Sequence, residues 1–146
     1  MAKKKRPVPR RNKTKKKPVS LKVIHLVVCD GVARDPNTGK ATLYGLFDRL
    51  VIEKIPSSAG GFSVFAKLSG YGKYPIKVDL VRPNGSADSL LEATIDIPKS
   101  GYAHVHAIVT GIEMKQYGQH WIQVKSGRRK VGSPCPLEIA KKKAQS

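Results

Sequence analysis

The stretch FSVFAKLSGYGKYPIKVDLVRPNGSADSLLEATIDI, residues 62–97, decides the fold class. Apolar residues alternate with polar ones through three successive runs. The apolar positions are Phe62, Val64, Ala66 and Leu68, then Ile76, Val78 and Leu80, then Leu91, Ala93, Ile95 and Ile97. A period of two puts such residues on one face of a strand, so each run is predicted to be a half-buried antiparallel strand. The Asn84-Gly85 pair between the last two runs favours a hairpin.

The flanking segments continue the strand pattern. On the N-terminal side, residues 21–29 are apolar on nearly both faces, as in a central strand. Residues 30–40 form a turn region, and residues 43–55 form a long β-prone run. Because Gly45 interrupts this run, either a bulge or a junction of two short strands is expected there.

On the C-terminal side the alternation changes parity once. One face carries Ala103, Val105, Ala107 and Val109, and Ile112 and Met114 continue it with reversed parity. A bulge at Thr110-Gly111 would restore the register. Ile122 and Val124 are predicted to point inward, so Trp121 lies on the opposite face, where it is either covered or an exposed interaction residue.

The last predicted strand runs from Val131 to Ile139 and contains Pro134 and Pro136. Proline cannot donate to a sheet ladder, so this strand is expected at an edge. Helical periodicity is absent over any useful length. About eight strands in 146 residues predict one all-β domain, an antiparallel β-sandwich of immunoglobulin-like type. The expected divisions are a basic arm (1–18), the sandwich (19–140) and a basic tail (141–146).

Several motifs resemble a family of small bacterial domains of unknown function. They are Cys29-Asp30, GKATLYGLFDRL (39–50), FSVFAKLSG (62–70), the Pro83-x-Gly85 turn, and YGQHWIQVKSG (117–127) followed by PLEIA (136–140). The resemblance covers about residues 21–140. It implies an immunoglobulin-like β-sandwich whose final hairpin reads G-x-x-x-I-x-V and then P-L-x-I. It implies no catalytic residue, cofactor or partner, and the arm lies outside it.

The first eighteen residues carry ten cations and no acid, out of a net charge of +18. The cations are Lys3, Lys4, Lys5, Arg6, Arg10, Arg11, Lys13, Lys15, Lys16 and Lys17. Such a segment cannot bury enough apolar area to fold alone, so we expect a disordered arm that contacts nucleic acid phosphates. Without aromatic residues, its binding should be independent of sequence. A solubilising tail and an anionic membrane surface remain alternatives.

Two features of the domain extend this hypothesis. Arg128, Arg129 and Lys130 follow Lys125 around a predicted hairpin tip, and residues 71–74 place two tyrosines beside a lysine. Both compositions suit phosphate contact and stacking. Hairpin tips are also normally polar, and tyrosines beside glycines often close the end of a sandwich.

Catalytic and metal-binding patterns are weak. His104 and His106 share the polar face of their strand, but the only additional soft ligands are His120, Cys29 and Cys135. His120 is predicted to face inward. No nucleophile motif or phosphate-binding loop is present, so we expect neither an enzyme nor a cofactor or bound metal.

The apolar run after the arm is short and is interrupted by Lys22 and His25, unlike a signal peptide or membrane helix. We therefore expect a cytoplasmic protein with reduced cysteines. The predicted function is non-enzymatic binding of DNA or RNA by the arm, helped by Lys141–Lys143. The alternative is a protein-interaction module that uses a sheet face or edge. Which of the two applies, and the oligomeric state, stay open from sequence.

Overall fold

The computed structural model describes residues 20–58 and 60–143, and every regular element in these ranges is a strand, which confirms the all-β prediction. There are eleven described strands where about eight were expected. The strands are β1 (Lys22–Arg34), β2 (Ala41–Leu46), β3 (Arg49–Ile52), β4 (Ser57–Ser58), β5 (Phe62–Ser69), β6 (Gly72–Val81), β7 (Ala87–Ile97), β8 (Tyr102–Val109), β9 (Glu113–Met114), β10 (Gly118–Ser126) and β11 (Arg129–Lys141).

The strands form two main sheets with one core between them. The four-stranded sheet has the order β2-β1-β5-β8 and the five-stranded sheet the order β3-β11-β10-β6-β7, while β4 and β9 pair separately. Side chains from both main sheets belong to a single buried cluster, which includes Val64, Leu68, Val78, Ile122 and Leu137. We call the side of each sheet that faces away from this cluster its outer face.

The first two alternating runs hold their predicted faces, whereas Ala93 in the third run is exposed. Val64 and Leu68 on β5 and Val78 on β6 are at most 2% exposed, and all three point into the core. Strands β6 and β7 form the predicted hairpin. Its turn is closed by the Gly85 N–H, which donates to the Arg82 carbonyl at 2.9 Å. Gly85 has φ of 88°, a conformation that residues with a Cβ rarely adopt.

The long run at residues 43–55 divides into two strands that belong to different sheets. The chain leaves the four-stranded sheet after Leu46, and the Phe47 N–H donates to the Val28 carbonyl at 3.2 Å as it crosses. Strand β3 then pairs in parallel with β11, from Arg49 opposite Glu138 onward. The expectation of an entirely antiparallel fold is therefore wrong at this pair.

The predicted bulge at Thr110-Gly111 is also wrong. Strand β8 ends at Val109, and Gly111, with φ of 71°, turns the chain out of the four-stranded sheet. Met114 lies on β9, which pairs with β4, and its side chain is 1% exposed in the core. The reversed parity comes from this change of partner strand.

The edge prediction for the last strand holds for its first half. Around Pro134 and Pro136, β11 pairs with β10 alone, so the missing N–H groups leave no gap in a ladder. From Glu138 onward β3 covers the other side. Within the described ranges, no helix is long and apolar enough to cross a membrane.

Candidate nucleic-acid interface

Three of the predicted phosphate-binding residues lie on the β10–β11 hairpin. Ser126 pairs with Arg129 across its turn, and Gly127 has φ of 61°. A two-residue turn of type II′ needs glycine at this first central position, which explains why the chain reverses there. The turn presents Arg128, Arg129 and Lys130 as exposed side chains. The ten arm cations lie outside the described residues.

The tip cations are not neutralised by the domain. Four ion pairs occur among the described residues, and none includes Arg128, Arg129 or Lys130. Lys125 differs from these three cations. It pairs with Lys130 next to the turn, and its Nζ lies 3.4 Å from Asp79 Oδ2. The tip therefore offers three cations to an external anion, while Lys125 is held by an internal one.

The beginning of β1 lies beside this tip. Gly132 follows the tip on β11, and a Cβ built on it would lie 2.9 Å from the Cβ of Val23. Only a residue without a side chain leaves room for Val23 at this distance. The described chain starts at Ser20, so the ten-cation segment joins the domain at the end that carries the tip.

Two further connections reach the same end. Lys22 pairs with Ser69, and the Gly70 N–H donates to the Gly101 carbonyl at 3.1 Å, which joins the β5–β6 and β7–β8 connections. We call this end of the molecule the basic end. Its exposed cations include Lys22, Lys73, Lys99, Arg128, Arg129 and Lys130.

The tyrosines of the β5–β6 connection have different roles. The Tyr74 hydroxyl donates to the Tyr71 carbonyl at 2.9 Å and accepts from the Tyr71 N–H at 3.0 Å, so Tyr74 fixes the shape of the loop. For Tyr74 this agrees with the structural alternative. The Tyr71 side chain is 57% exposed.

Lys141–Lys143, the described part of the basic tail, lie at the opposite end. Strand β11 has thirteen residues from Arg129 at the tip to Lys141, which corresponds to about 40 Å of extended strand. Lys142 Nζ lies 3.1 Å from Glu53 Oε1, and the Lys142 N–H donates to the Ile52 carbonyl. The structure therefore does not bring Lys141–Lys143 together with the tip.

Trp121 lies on the outer face of the five-stranded sheet and is 39% exposed. It borders a cavity of about 230 Å³ whose walls include Val81, Gln123, Lys125, Lys130 and Pro134. The sequence left open whether Trp121 is covered or exposed, and the structure is closer to the exposed alternative. The cavity extends along the outer face from Gly85 in the β6–β7 turn to Lys125 and Lys130, which pair with each other next to the β10–β11 turn.

A buried carboxylate lies under this surface. Asp79 pairs with Gln123 across β6 and β10, and its side chain is 3% exposed. Within the described part of the chain, Asp79 Oδ1 has no hydrogen-bond donor, whereas Oδ2 faces the Lys125 ammonium. Gln123 Nε2 donates to the Val124 carbonyl at 2.9 Å. The Lys125 ammonium thus compensates the buried carboxylate of Asp79 within the domain.

The histidines do not converge. His104 and His106 share the outer face of the four-stranded sheet, where the His106 ring lies 2.9 Å from Ser63 Oγ and the His104 ring packs 5.0 Å from that of Phe65. Burial lowers the pKa of His104, and the charges of Arg34 and Lys67 lower it further. No group of three potential metal ligands occurs among the described residues.

His120 faces the core, as predicted, and is 1% exposed. Its Nδ1 lies 3.0 Å from the Gly118 carbonyl, which accepts the ring proton there. Burial lowers the pKa of His120, while the bond to Gly118 opposes the shift and the charge of Arg82 adds to it. The ring is therefore a neutral structural group at neutral pH.

Both cysteines are free thiols. Burial raises the pKa of Cys29 and of Cys135, and nearby Asp30 and Asp48 respectively add to these shifts, while a backbone hydrogen bond at Gly31 lowers the pKa of Cys29. A raised pKa keeps a thiol protonated, which makes it a poor nucleophile and a poor metal ligand.

One surface was not identified from the sequence. The outer face of the four-stranded sheet exposes four large apolar side chains, namely Tyr44, Leu46, Tyr102 and Ile108. Strand parity could have shown two of them, because Tyr102 and Ile108 alternate with the buried Val105. No pattern in the sequence indicated the contact between Val23 and Gly132, because a glycine that follows a turn is usually interpreted as part of that turn.

A family model described as Family of unknown function (DUF6941) matches residues 24–139. The chain belongs to this family. The match confirms the resemblance to a family of unknown function that the strand motifs indicated. The DUF6941 region contains Trp121 and the tip cations, whereas the arm precedes it. No curated protein matches the chain.

Proposed function

We propose that this protein binds nucleic acid, DNA or RNA, at its basic end and carries out no catalysis. The contact between Val23 and Gly132 carries the proposal, because it joins the ten-cation segment to the same end as the three unpaired tip cations. The two groups of cations can then contact neighbouring phosphates of one strand.

The energetic basis is the release of counterions. Each phosphate that a Lys or Arg neutralises releases condensed ions, so the logarithm of the binding constant falls with the logarithm of salt concentration. Arg128, Arg129 and Lys130 are suited to this role because none of them forms an ion pair with a carboxylate of the described domain. Contacts to phosphate carry no sequence information, so binding is independent of sequence.

We further propose that the domain is an immunoglobulin-like β-sandwich that acts in the cytoplasm. Two sheets with one shared core and the antiparallel order β11-β10-β6 support the fold assignment. Two free cysteines support a reducing compartment. In this proposal the sandwich is a scaffold that presents the tip beside the arm.

The experiment compares the full chain with a version that begins at Val19, using a labelled 20-nucleotide single strand across a salt series. If all ten arm cations contact phosphate, the full chain has a log–log slope steeper by roughly 7. Equal affinity of the two proteins at low salt would contradict the role of the arm. Circular dichroism checks that the shortened protein keeps its strands.

A protein-interaction module is the second candidate, and the outer face of the four-stranded sheet favours it. This face exposes Tyr44, Leu46 and Ile108, Lys67 lies over the Tyr102 ring on it, and its outward positions on the four strands include no carboxylate. A second copy would bring like charge to it, so the fitting partner is an acidic protein surface with apolar patches.

This second candidate has its own test. Ile108→Glu places a carboxylate on the edge strand β8 of the exposed apolar face, and Val51→Glu places one at an exposed position on β3. Capture of one acidic protein after nuclease treatment, lost with Ile108→Glu and kept with Val51→Glu, would support the module. Equal capture by both variants would contradict it.

A further inference from the structure

The cavity beside the tip has the composition of a nucleotide subsite. Trp121 is the only tryptophan of the chain, and its ring forms one wall from the outer face of β10. Its 39% exposure leaves part of the ring open to solvent. An open indole face stacks on any nucleobase, because every base has a π-face.

Two cations line the same cavity as this ring. Lys125 is four residues from Trp121 on the same face of β10, about 13 Å along the strand. Lys130 pairs with Lys125 and also borders the cavity. Trp121, Lys125 and Lys130 thus line one cavity of about 230 Å³, with the aromatic ring and the cations on its walls.

The two lysines are not equivalent. Asp79 is 3% exposed and holds the Lys125 ammonium at 3.4 Å, so Lys125 is a fixed wall of the cavity. Lys130 is exposed and has no ion-pair partner in the described ranges. Lys130 is therefore the residue available to contact a phosphate.

We propose that this cavity binds one unstacked base of a single-stranded nucleic acid, with the base on Trp121 and the adjoining phosphate at Lys130. The inference rests on the proposed function and specifies its substrate class. In a duplex the bases are stacked and paired, so the ring of Trp121 has no free base face to contact. The protein then prefers single strands over duplexes of equal length.

The single tryptophan makes the test specific to the site. The full chain is titrated with a 12-nucleotide oligothymidine, with a duplex of the same length and with inorganic polyphosphate. Stacking predicts quenching of the tryptophan fluorescence by the single strand and none by polyphosphate, although both bind. Binding of the single strand without quenching would overturn the subsite and leave the proposed function standing. Failure of all three polyanions to bind at low salt would overturn both.

A variant pair gives a second measurement. Trp121→Ala is expected to weaken oligothymidine binding by about 5- to 150-fold and to leave polyphosphate binding unchanged, as loss of one stacked base implies. Tyr44→Ala, which removes an exposed aromatic ring from the other sheet, serves as the matched control and leaves both unchanged. Equal affinity of Trp121→Ala and the unaltered chain for oligothymidine would overturn the subsite. The quenching experiment needs no variant, so the proposal is testable even if Trp121→Ala does not fold.

Discussion

Val23 packs against Gly132 at a distance that no side chain at position 132 would allow. This contact ties the start of the first strand to the last strand just behind the β10–β11 turn. It thereby fixes where the basic segment joins the domain relative to Arg128, Arg129 and Lys130. The proposal that nucleic acid binds at the basic end depends on this contact more than on the composition of the basic segment.

Substitution of Gly132 tests the contact. Gly132→Ala is expected to destabilise the domain by about 2–4 kcal/mol, because it adds overlap with Val23 to the strain of a positive φ. Gly39→Ala is the matched control and should cost about 1 kcal/mol, since Gly39 has φ of 69° and a Cβ added to it would meet nothing within 4 Å. Urea denaturation measures both, and equal losses would contradict the close packing.

His120 makes stability depend on pH. Its folded pKa is lowered, so the unfolded chain binds the proton more strongly, and stability is lost as pH falls below the ordinary histidine value. The loss is at most about 1.4 kcal/mol for each pH unit until the folded pKa is reached. His120→Phe should flatten this dependence between pH 7 and pH 5. His104→Gln is the comparison variant. The pKa of His104 is also lowered, but its ring lies on the outer face and not in the core. An unchanged slope in His120→Phe would contradict the assignment.

Lys125 is predicted to stabilise the domain through Asp79. Lys125→Met leaves the carboxylate, 3% exposed, without its cation and should cost about 2 kcal/mol. Adding Asp79→Leu removes the uncompensated charge and should recover most of that loss. Arg49→Met breaks an exposed pair with Glu138 and should cost less than about 1 kcal/mol. A double variant no more stable than Lys125→Met would show that the pair is not the source of the effect.

The strands were predicted well because each alternating pattern depends only on residues that are neighbours in the sequence. The faces of Val64, Val78 and Val105, and the hairpin at Asn84-Gly85, follow from a period of two and from turn chemistry. The outward position of Trp121 followed from the same parity. These features need no knowledge of which strands become partners.

Features that depend on partner strands were not predictable. The parallel pairing of Arg49 with Glu138 and the separate pairing of Met114 with Ser57 join residues far apart in sequence. The Thr110-Gly111 parity change has two explanations, a bulge or an exit from the sheet, and only the pairing decides between them. For the candidate site, the tip cations and Trp121 could be predicted from the sequence, whereas the cavity and the position of Val23 beside Gly132 required the fold.

The most direct test of the central claim compares two triple variants of the full chain with the same change in charge. Arg128, Arg129 and Lys130 are replaced by alanine in one, and Lys141, Lys142 and Lys143 in the other. Binding of a labelled single strand is measured across a salt series around 0.15 M, where screening limits long-range effects to about 8 Å. We predict a salt slope shallower by roughly 2 for the tip variant and nearly unchanged for the tail variant. Equal effects of the two variants would contradict binding at the basic end.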